Sequence, residues 1–168
     1  MKRKEKPNAA NYIVVFLRLL LGALLLVDGV HAVRELLPEP KLLVETLEAQ
    51  VEGAPFPFSL VGNFAIDAPE TASTLMRYAT LFCGLALLFG ALVRPAGALI
   101  ATGHLCAFFL SAPADQHYHL LAAGVAASCA IGSAGRVLGL DASLDAILPT
   151  WMTWAGKHAD TGGEQMFM

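Results

Sequence analysis

The chain has 168 residues, of which 56% are hydrophobic and 15% are charged, and its mean hydropathy is +0.59. A soluble domain of this length has too little interior to bury that much apolar surface, whereas a lipid bilayer would cover it. The net charge of −3, without a basic stripe between aromatic residues, excludes nucleic acid as a partner and leaves membrane lipid as the expected one.

The first predicted element is a membrane span over about residues 12–33. The basic start MKRKEK resembles the beginning of a signal peptide, but the apolar stretch after it is too long for one and no cleavage site follows. We therefore expect a retained span. It contains three polar side chains, Arg18, Asp28 and His31, which are costly in hydrocarbon and require partners or a function.

Residues 36–74 form a glutamate-rich segment that we expect on the outer side of the membrane. Within it, 41–52 is predicted to be a short amphipathic helix on the membrane surface or across the bundle, with its apolar positions at Leu43, Leu47 and Val51. The PFPF sequence at 55–58 cannot continue a helix, so an extended stretch is expected there.

Three further spans are predicted at about 75–93, 96–112 and 118–135. Each span has small residues along one helical face, and each of these faces also carries a polar residue. The expected fold class is therefore all-α: an integral membrane four-helix bundle with a polar seam, formed by a single domain over residues 1–168.

The chain after the fourth span, 136–168, is predicted to be a cytoplasmic tail that includes an interfacial helix. Asp141 is the expected N-cap of this helix, and Trp151 and Trp154 suit the level of the lipid headgroups.

Lysine and arginine residues predict the orientation of the spans. They precede the first span, lie between the second and third at Arg94, and follow the fourth at Arg136 and Lys157. All of them fall on one side if the N-terminus is cytoplasmic. We therefore expect a multi-pass protein of the bacterial or archaeal cytoplasmic (inner) membrane, with both termini inside.

The charged residues of the predicted spans separate by depth. Arg18 lies towards the inner end of the first span, where it either binds an anion or quinone oxygen or serves a structural role through backbone carbonyls. Asp28 lies about 15 Å further out along the helix. Its expected partner is Arg77 of the second span; alternatively, Asp28 is open to water at the outer rim or is a proton-exchanging residue of a quinone site.

The histidines extend this outer group. His31, His117 and His119 are expected at the level of Asp28, where they could bind a quinone head or, as a weaker alternative, a metal ion through His117 and His119. His104 is expected near mid-membrane as a hydrogen-bonded core histidine without a second histidine opposite it. No haem site is predicted for that reason, and no resident metal or nucleotide is expected.

The three cysteines lie in apolar stretches without a CxxC spacing, and we interpret all of them as packing residues: Cys83, Cys106 and Cys129.

Several stretches, in order over about 15–145, resemble the DoxX/DoxD family. LRLLLGALLLVDG resembles its first helix, GLALLFGALVRPAG its second helix and the following turn, and SAGRVLGLDASL its ending. The resemblance implies a four-helix membrane protein, and DoxD-type members are subunits of thiosulfate:quinone oxidoreductase. The positions that match are Arg18, Gly22, Gly29, Gly84, Gly90, Arg94, Gly135, Arg136 and Asp141.

Two positions depart from the family pattern. The family often has a glutamate where this chain has Leu81, and a lysine near Ala32, where this chain has His31 just before. The resemblance therefore implies either a membrane subunit of a quinone-linked oxidoreductase acting on thiosulfate or thiol donors, with a quinone site at Asp28, His31, Arg77 and His119, or a non-catalytic scaffold subunit. Both interpretations imply a partner protein. A small transporter is a weaker alternative, because the sequence shows no inverted repeat.

Overall fold

The computed structural model of the chain describes residues 9–34, 40–132, 139–144, 147, 149 and 152. These residues form an all-α structure, and no strand occurs among them. The helices are α1 (Ala9–Arg34), α2 (Pro40–Val51), α3 (Phe58–Asp67), α4 (Pro69–Phe89), α5 (Val93–Leu110), α6 (Pro113–Ile131) and the short α7 (Asp141–Leu144). Most of the predicted tail, including Trp151 and Trp154, and the matched residues Gly135 and Arg136 lie outside the described residues.

Three of the described helices are long and apolar enough to cross a membrane: α1 over Tyr12–Val33, α4 over Pro69–Phe89 and α5 over Val93–Leu110. The 19-residue helix α6 does not join them by hydropathy, because its first turns contain Asp115, Gln116, His117 and His119. The protein therefore has at least three helices suited to the bilayer, and the fourth span stays a prediction.

Helices α1, α4, α5 and α6 contact one another in a closed order, with α1 against α4 and α6, and α5 against α4 and α6. The α1–α4 pair is antiparallel and close, because Gly22 faces Leu88 and Gly29 faces Leu81. Glycine lets two backbones approach in this way, which is how helices associate when lipid provides no hydrophobic drive between them.

The buried core lies between these four helices. It contains Leu21, Leu25, Leu87 and Val93, together with the fully buried Cys83 and Cys129. The thiols of Cys83, Cys106 and Cys129 are all free, in agreement with a packing role.

The segment between α1 and α4 differs from its prediction. The amphipathic helix is present as α2, but PFPF forms a turn instead of an extended stretch: the Phe58 amide donates to the Pro55 carbonyl at 2.9 Å, and Phe58 begins α3. Helix α4 then starts at Pro69, where proline fits a first helical turn because the missing N–H has no helical partner there.

Candidate functional site

A contact between two histidine side chains joins α5 and α6. Nδ1 of His104 lies 3.1 Å from Nδ1 of His119, a hydrogen-bond distance, and both side chains are half-buried. One of the two nitrogens must donate a proton and the other must accept it, so the two rings adopt different tautomers when neutral.

The expectation that His104 has no histidine opposite it is therefore wrong. Helices α5 and α6 form an antiparallel hairpin around Ser111 and Ala112. His104 lies seven residues before Ser111 and His119 lies seven residues after Ala112, so both rings stand about 10 Å from the turn. The equal spacing of the two histidines from the turn predicts this contact once α5 and α6 are considered as one hairpin.

Tyr118 and Asp28 complete what we call the outer polar cluster, named for the side of the membrane on which the sequence predicts it: Asp28, His104, Tyr118 and His119. The Tyr118 ring meets His104 edge-on, with ring centroids 5.8 Å apart, and its centroid is 5.3 Å from that of His119. The carboxylate of Asp28 interacts electrostatically with both His104 and Tyr118. Asp28 itself is exposed.

The position of Asp28 on α1 explains these neighbours. Val14, Leu21 and Asp28 are seven residues apart and share one helical face. Val14 contacts α6 at Gly132, where an added Cβ would lie 3.0 Å from Val14 Cγ1. Asp28 is thus on the α6 side of α1, and not on the glycine face that packs against α4.

The other predicted site residues lie on α1, α4 and α6. His31 is exposed on α1, three residues after Asp28, and His117 is exposed just before Tyr118. Arg77 is half-buried, one turn before Leu81, and therefore on the α4 face that meets α1 at Gly29. The pairing of Arg77 with Asp28 stays a prediction.

The outer polar cluster has the groups needed to exchange protons with a bound polar molecule. A neutral histidine pair shares one Nδ1–H, and it can take one more proton while keeping its hydrogen bond. A second added proton would put two N–H groups against each other. Among the described residues, no three His, Cys, Asp or Glu side chains come together as a metal ligand set.

Arg18 occupies a second polar site, at the other end of α1. It is 1% exposed and interacts electrostatically with Asp141. The Arg18 guanidinium lies against Gly90, where an added Cβ would be 2.7 Å from Arg18 Nη1. Gly90 closes α4 in the left-handed region, at φ 66°, so a side chain there would be both strained and obstructed.

Asp141 does not serve as the N-cap of its own helix, contrary to the prediction. Its carboxylate oxygens accept the backbone N–H groups of Leu92, at 2.6 Å, and Val93, at 3.2 Å, and so cap α5. The Asp141 amide donates to the Gly90 carbonyl at 2.9 Å. Leu92, the N-cap position of α5, has no side chain that could make this cap itself, so α7 provides it from about fifty residues away.

Comparison with known proteins places these helices in a family. The family model DoxX matches residues 13–113, which is more than half of the chain. No curated protein and no solved structure shows significant similarity to it. The matched region includes Arg18, Asp28 and His104, whereas Tyr118, His119 and Asp141 lie beyond it. By this match and its apolar helices, the chain belongs to the DoxX family of multi-pass membrane proteins.

Proposed function

We propose that the protein is a membrane subunit of a quinone-linked oxidoreductase system and that a quinone head binds at the outer polar cluster. The observation that carries the proposal is the His104–His119 contact beside Asp28. Polar side chains within membrane helices are costly and mark functional sites, and here the Tyr118 ring lies against two histidines, one of which, His104, interacts electrostatically with Asp28. The proposal includes α6 as a fourth span of the cytoplasmic membrane, in a four-helix bundle whose termini are both cytoplasmic.

The chemistry of quinone reduction suits this cluster. A quinone that accepts two electrons must also take up two protons to become a quinol. Two thiosulfate ions or two thiols that join through a new sulfur–sulfur bond release the two electrons, and such a sulfur compound, or a partner subunit that oxidises it, would be the donor. His119 and His104 would pass protons to a quinone oxygen, and Asp28 would stabilise the charged state of the pair.

His31 and Arg77 belong to the same proposal at the edge of the site. His31 follows Asp28 on α1, and Arg77 is on α4, the helix packed against the other side of α1, from which its long side chain would donate hydrogen bonds to a quinone oxygen. If a metal ion bound here instead, His117 and His119 would be its ligands, but they follow one another at i and i+2 on α6 and so point to different helix faces.

The alternative proposal is a non-catalytic scaffold, and one contact favours it. Leu81 stands where the family often has a glutamate, and its backbone lies against Gly29, the residue after Asp28. The chain therefore has an apolar side chain at a position where the family pattern often has a carboxylate. In a scaffold, the polar residues would only hold the helices together, and α2 and α3 would dock the partner subunit.

The test is quinone binding and reduction by the purified full chain in lipid nanodiscs. Ubiquinone with a single isoprene unit is the probe, and binding and thiosulfate- or thiol-driven reduction are measured separately. His119→Ala and Asp28→Asn are expected to weaken binding by about tenfold, because the first removes a hydrogen-bonding ring and the second removes the negative charge beside the histidine pair. Asp115→Asn, an exposed acid on α6, is the matched control and should leave binding unchanged.

Two results would contradict the proposal. Unchanged binding in His119→Ala and Asp28→Asn would place the quinone elsewhere. No quinone binding at all, together with a partner protein that co-purifies equally with wild type and both variants, would establish the scaffold function instead.

A further inference from the structure

Helix α3 packs on the last turn of α5 and leads directly into α4. The Phe58 ring stacks on that of Phe109, with centroids 4.4 Å apart, and an added Cβ at Gly62 would lie 3.1 Å from the Leu110 side chain. Leu110 is the last residue of the candidate span α5, and one residue separates the end of α3 from Pro69, the first residue of the candidate span α4. A helix packed on the end of one span and joined to the beginning of the next lies at the boundary of the membrane.

The surface of α3 that faces away from the protein is divided into a polar half and an apolar half. Ser59, Asn63 and Asp67 are four residues apart and form one line along the helix, in which Asn63 and Asp67 are exposed. Three exposed apolar side chains form the other half: Leu60, Val61 and Phe64. A helix with protein on one side, a polar line on the second and an apolar surface on the third matches the level where headgroups give way to acyl chains.

The neighbouring helices favour lipid as the cover of the apolar half. On α4, exposed apolar side chains begin about 9 Å after Pro69, where Leu75 and Met76 are 63% and 62% exposed. In a spanning helix such side chains contact lipid, and the same lipid boundary covers the apolar half of α3 without a further component. Helix α2 exposes Glu45 and Glu48 instead, so α3 is the part of this segment whose surface suits lipid.

We propose that α3 is an interfacial helix whose partner is the phospholipid bilayer. Leu60, Val61 and Phe64 contact the upper part of the acyl chains, while Asn63 and Asp67 stay in water. The contact holds the α2–α3 segment against the end of the helix bundle, since α2 packs on α3 through Val51. The proposal goes beyond the proposed function and does not depend on quinone binding.

Tryptophan fluorescence in brominated lipid tests the contact with acyl chains. Trp151→Phe and Trp154→Phe remove the natural tryptophans of the full chain. Phe64→Trp and Leu60→Trp then report from the apolar half, and Asn63→Trp is the matched control on the polar line of the same helix. Each protein is placed in nanodiscs of phosphatidylcholine that is unbrominated, brominated near the headgroup end of its acyl chains or brominated near their termini. Iodide measures access from water.

Bromine near the headgroups is expected to lower the fluorescence of Phe64→Trp and Leu60→Trp about twofold, because an interfacial helix lies about 5–10 Å into the boundary. Asn63→Trp should be quenched by iodide and only weakly by bromine. Phe82→Trp is the reference for a lipid-facing span position, since Phe82 is exposed on α4 about 20 Å from Pro69. It should be quenched most by bromine near the chain termini, which also shows that the bundle is inserted.

Three results would overturn the proposal. Equal quenching of Phe64→Trp and Asn63→Trp by both reagents would place all of α3 in water. Protection of Phe64→Trp and Leu60→Trp from bromine and iodide alike would assign the apolar half to a protein contact, either within the chain or with a second copy. A Phe64→Trp signal quenched most by bromine near the chain termini, as expected for Phe82→Trp, would place α3 deep in the membrane.

Discussion

At the scale of single residues, the polar side chains of this membrane protein form two separate sites with different physical roles. Asp28 is exposed beside a histidine pair that can exchange protons, whereas Arg18 is 1% exposed and Asp141 is 3% exposed. A buried carboxylate is stable only when its hydrogen-bonding capacity is satisfied, and Asp141 accepts hydrogen bonds from the amides of Leu92, the N-cap of α5, and Val93, its first residue. The Arg18 site thus has a structural role, and the proposed function concerns the outer polar cluster.

Asp141→Ala is expected to destabilise the protein by about 2–4 kcal/mol. The change leaves the amides of Leu92, which is partly buried, and Val93, which is buried, without their acceptor, and it removes a negative charge near Arg18. The free energy of unfolding is measured by titration with a denaturing detergent in mixed micelles. Asp67→Ala, at an exposed carboxylate on α3, should change it by less than about 0.5 kcal/mol. Equal effects of the two substitutions would refute the capping role.

At the scale of helices, close approach and tight turns decide which side chains meet. Helix α4 lies so near to α1 that a Cβ at Gly84 would be 2.8 Å from the Leu26 amide nitrogen. The α5–α6 hairpin has only Ser111 and Ala112 between its helices, which brings His104 opposite His119. Each pair of helices therefore has one register, and that register positions the candidate site residues.

Gly84→Ala should lower the free energy of unfolding by about 1–3 kcal/mol, because the added methyl group meets backbone atoms of α1 that cannot move aside independently. Gly103→Ala is the comparison, since its methyl group would meet nothing. That substitution is expected to be neutral or to stabilise by up to about 1 kcal/mol through helix propensity. A stabilised Gly84→Ala protein would show that α1 and α4 are not closely packed in the membrane.

At the scale of the whole molecule, the polar residues that make a site also weaken the membrane signal of the helix that carries them. Helix α6 has 19 residues, enough to cross a bilayer. Its polar first half lowers its mean hydropathy, so it is not among the candidate spans α1, α4 and α5. Its buried alanines, Ala122, Ala123 and Ala126, face the other helices. We expect α6 to cross the membrane with its polar groups turned towards the helices and away from lipid.

Cysteine substitutions made one at a time at Asp115 and Ser143, both exposed in the structure, test whether α6 crosses the membrane. In intact cells, a membrane-impermeant thiol reagent is expected to label Asp115→Cys and to label Ser143→Cys only after the cells are opened. Wild type, whose own cysteines are buried or half-buried, provides the background. Labelling of both positions from the same side would mean that α6 does not span, and it would overturn the four-span proposal.

Much of the fold was predictable from local patterns. The apolar runs around Arg18 and Cys83 indicated helices suited to a bilayer, and the 3.6-residue period predicted α2 within one residue of its ends. The turn at PFPF and helix α3 were missed, because proline excludes a helix interior but does not exclude a helix that starts directly after it.

The amino-acid sequence by itself therefore determined membrane residence, the helical fold class and which polar residues are costly, since hydropathy and periodicity depend on neighbouring residues alone. Only the tertiary structure decided which of those residues meet. His104 finds His119 through the register of a hairpin, Asp28 faces α6 through the rotation of α1, and Asp141 caps a helix about fifty residues earlier in the chain. Such contacts depend on how helices pack, and no local pattern encodes the distance between two helices.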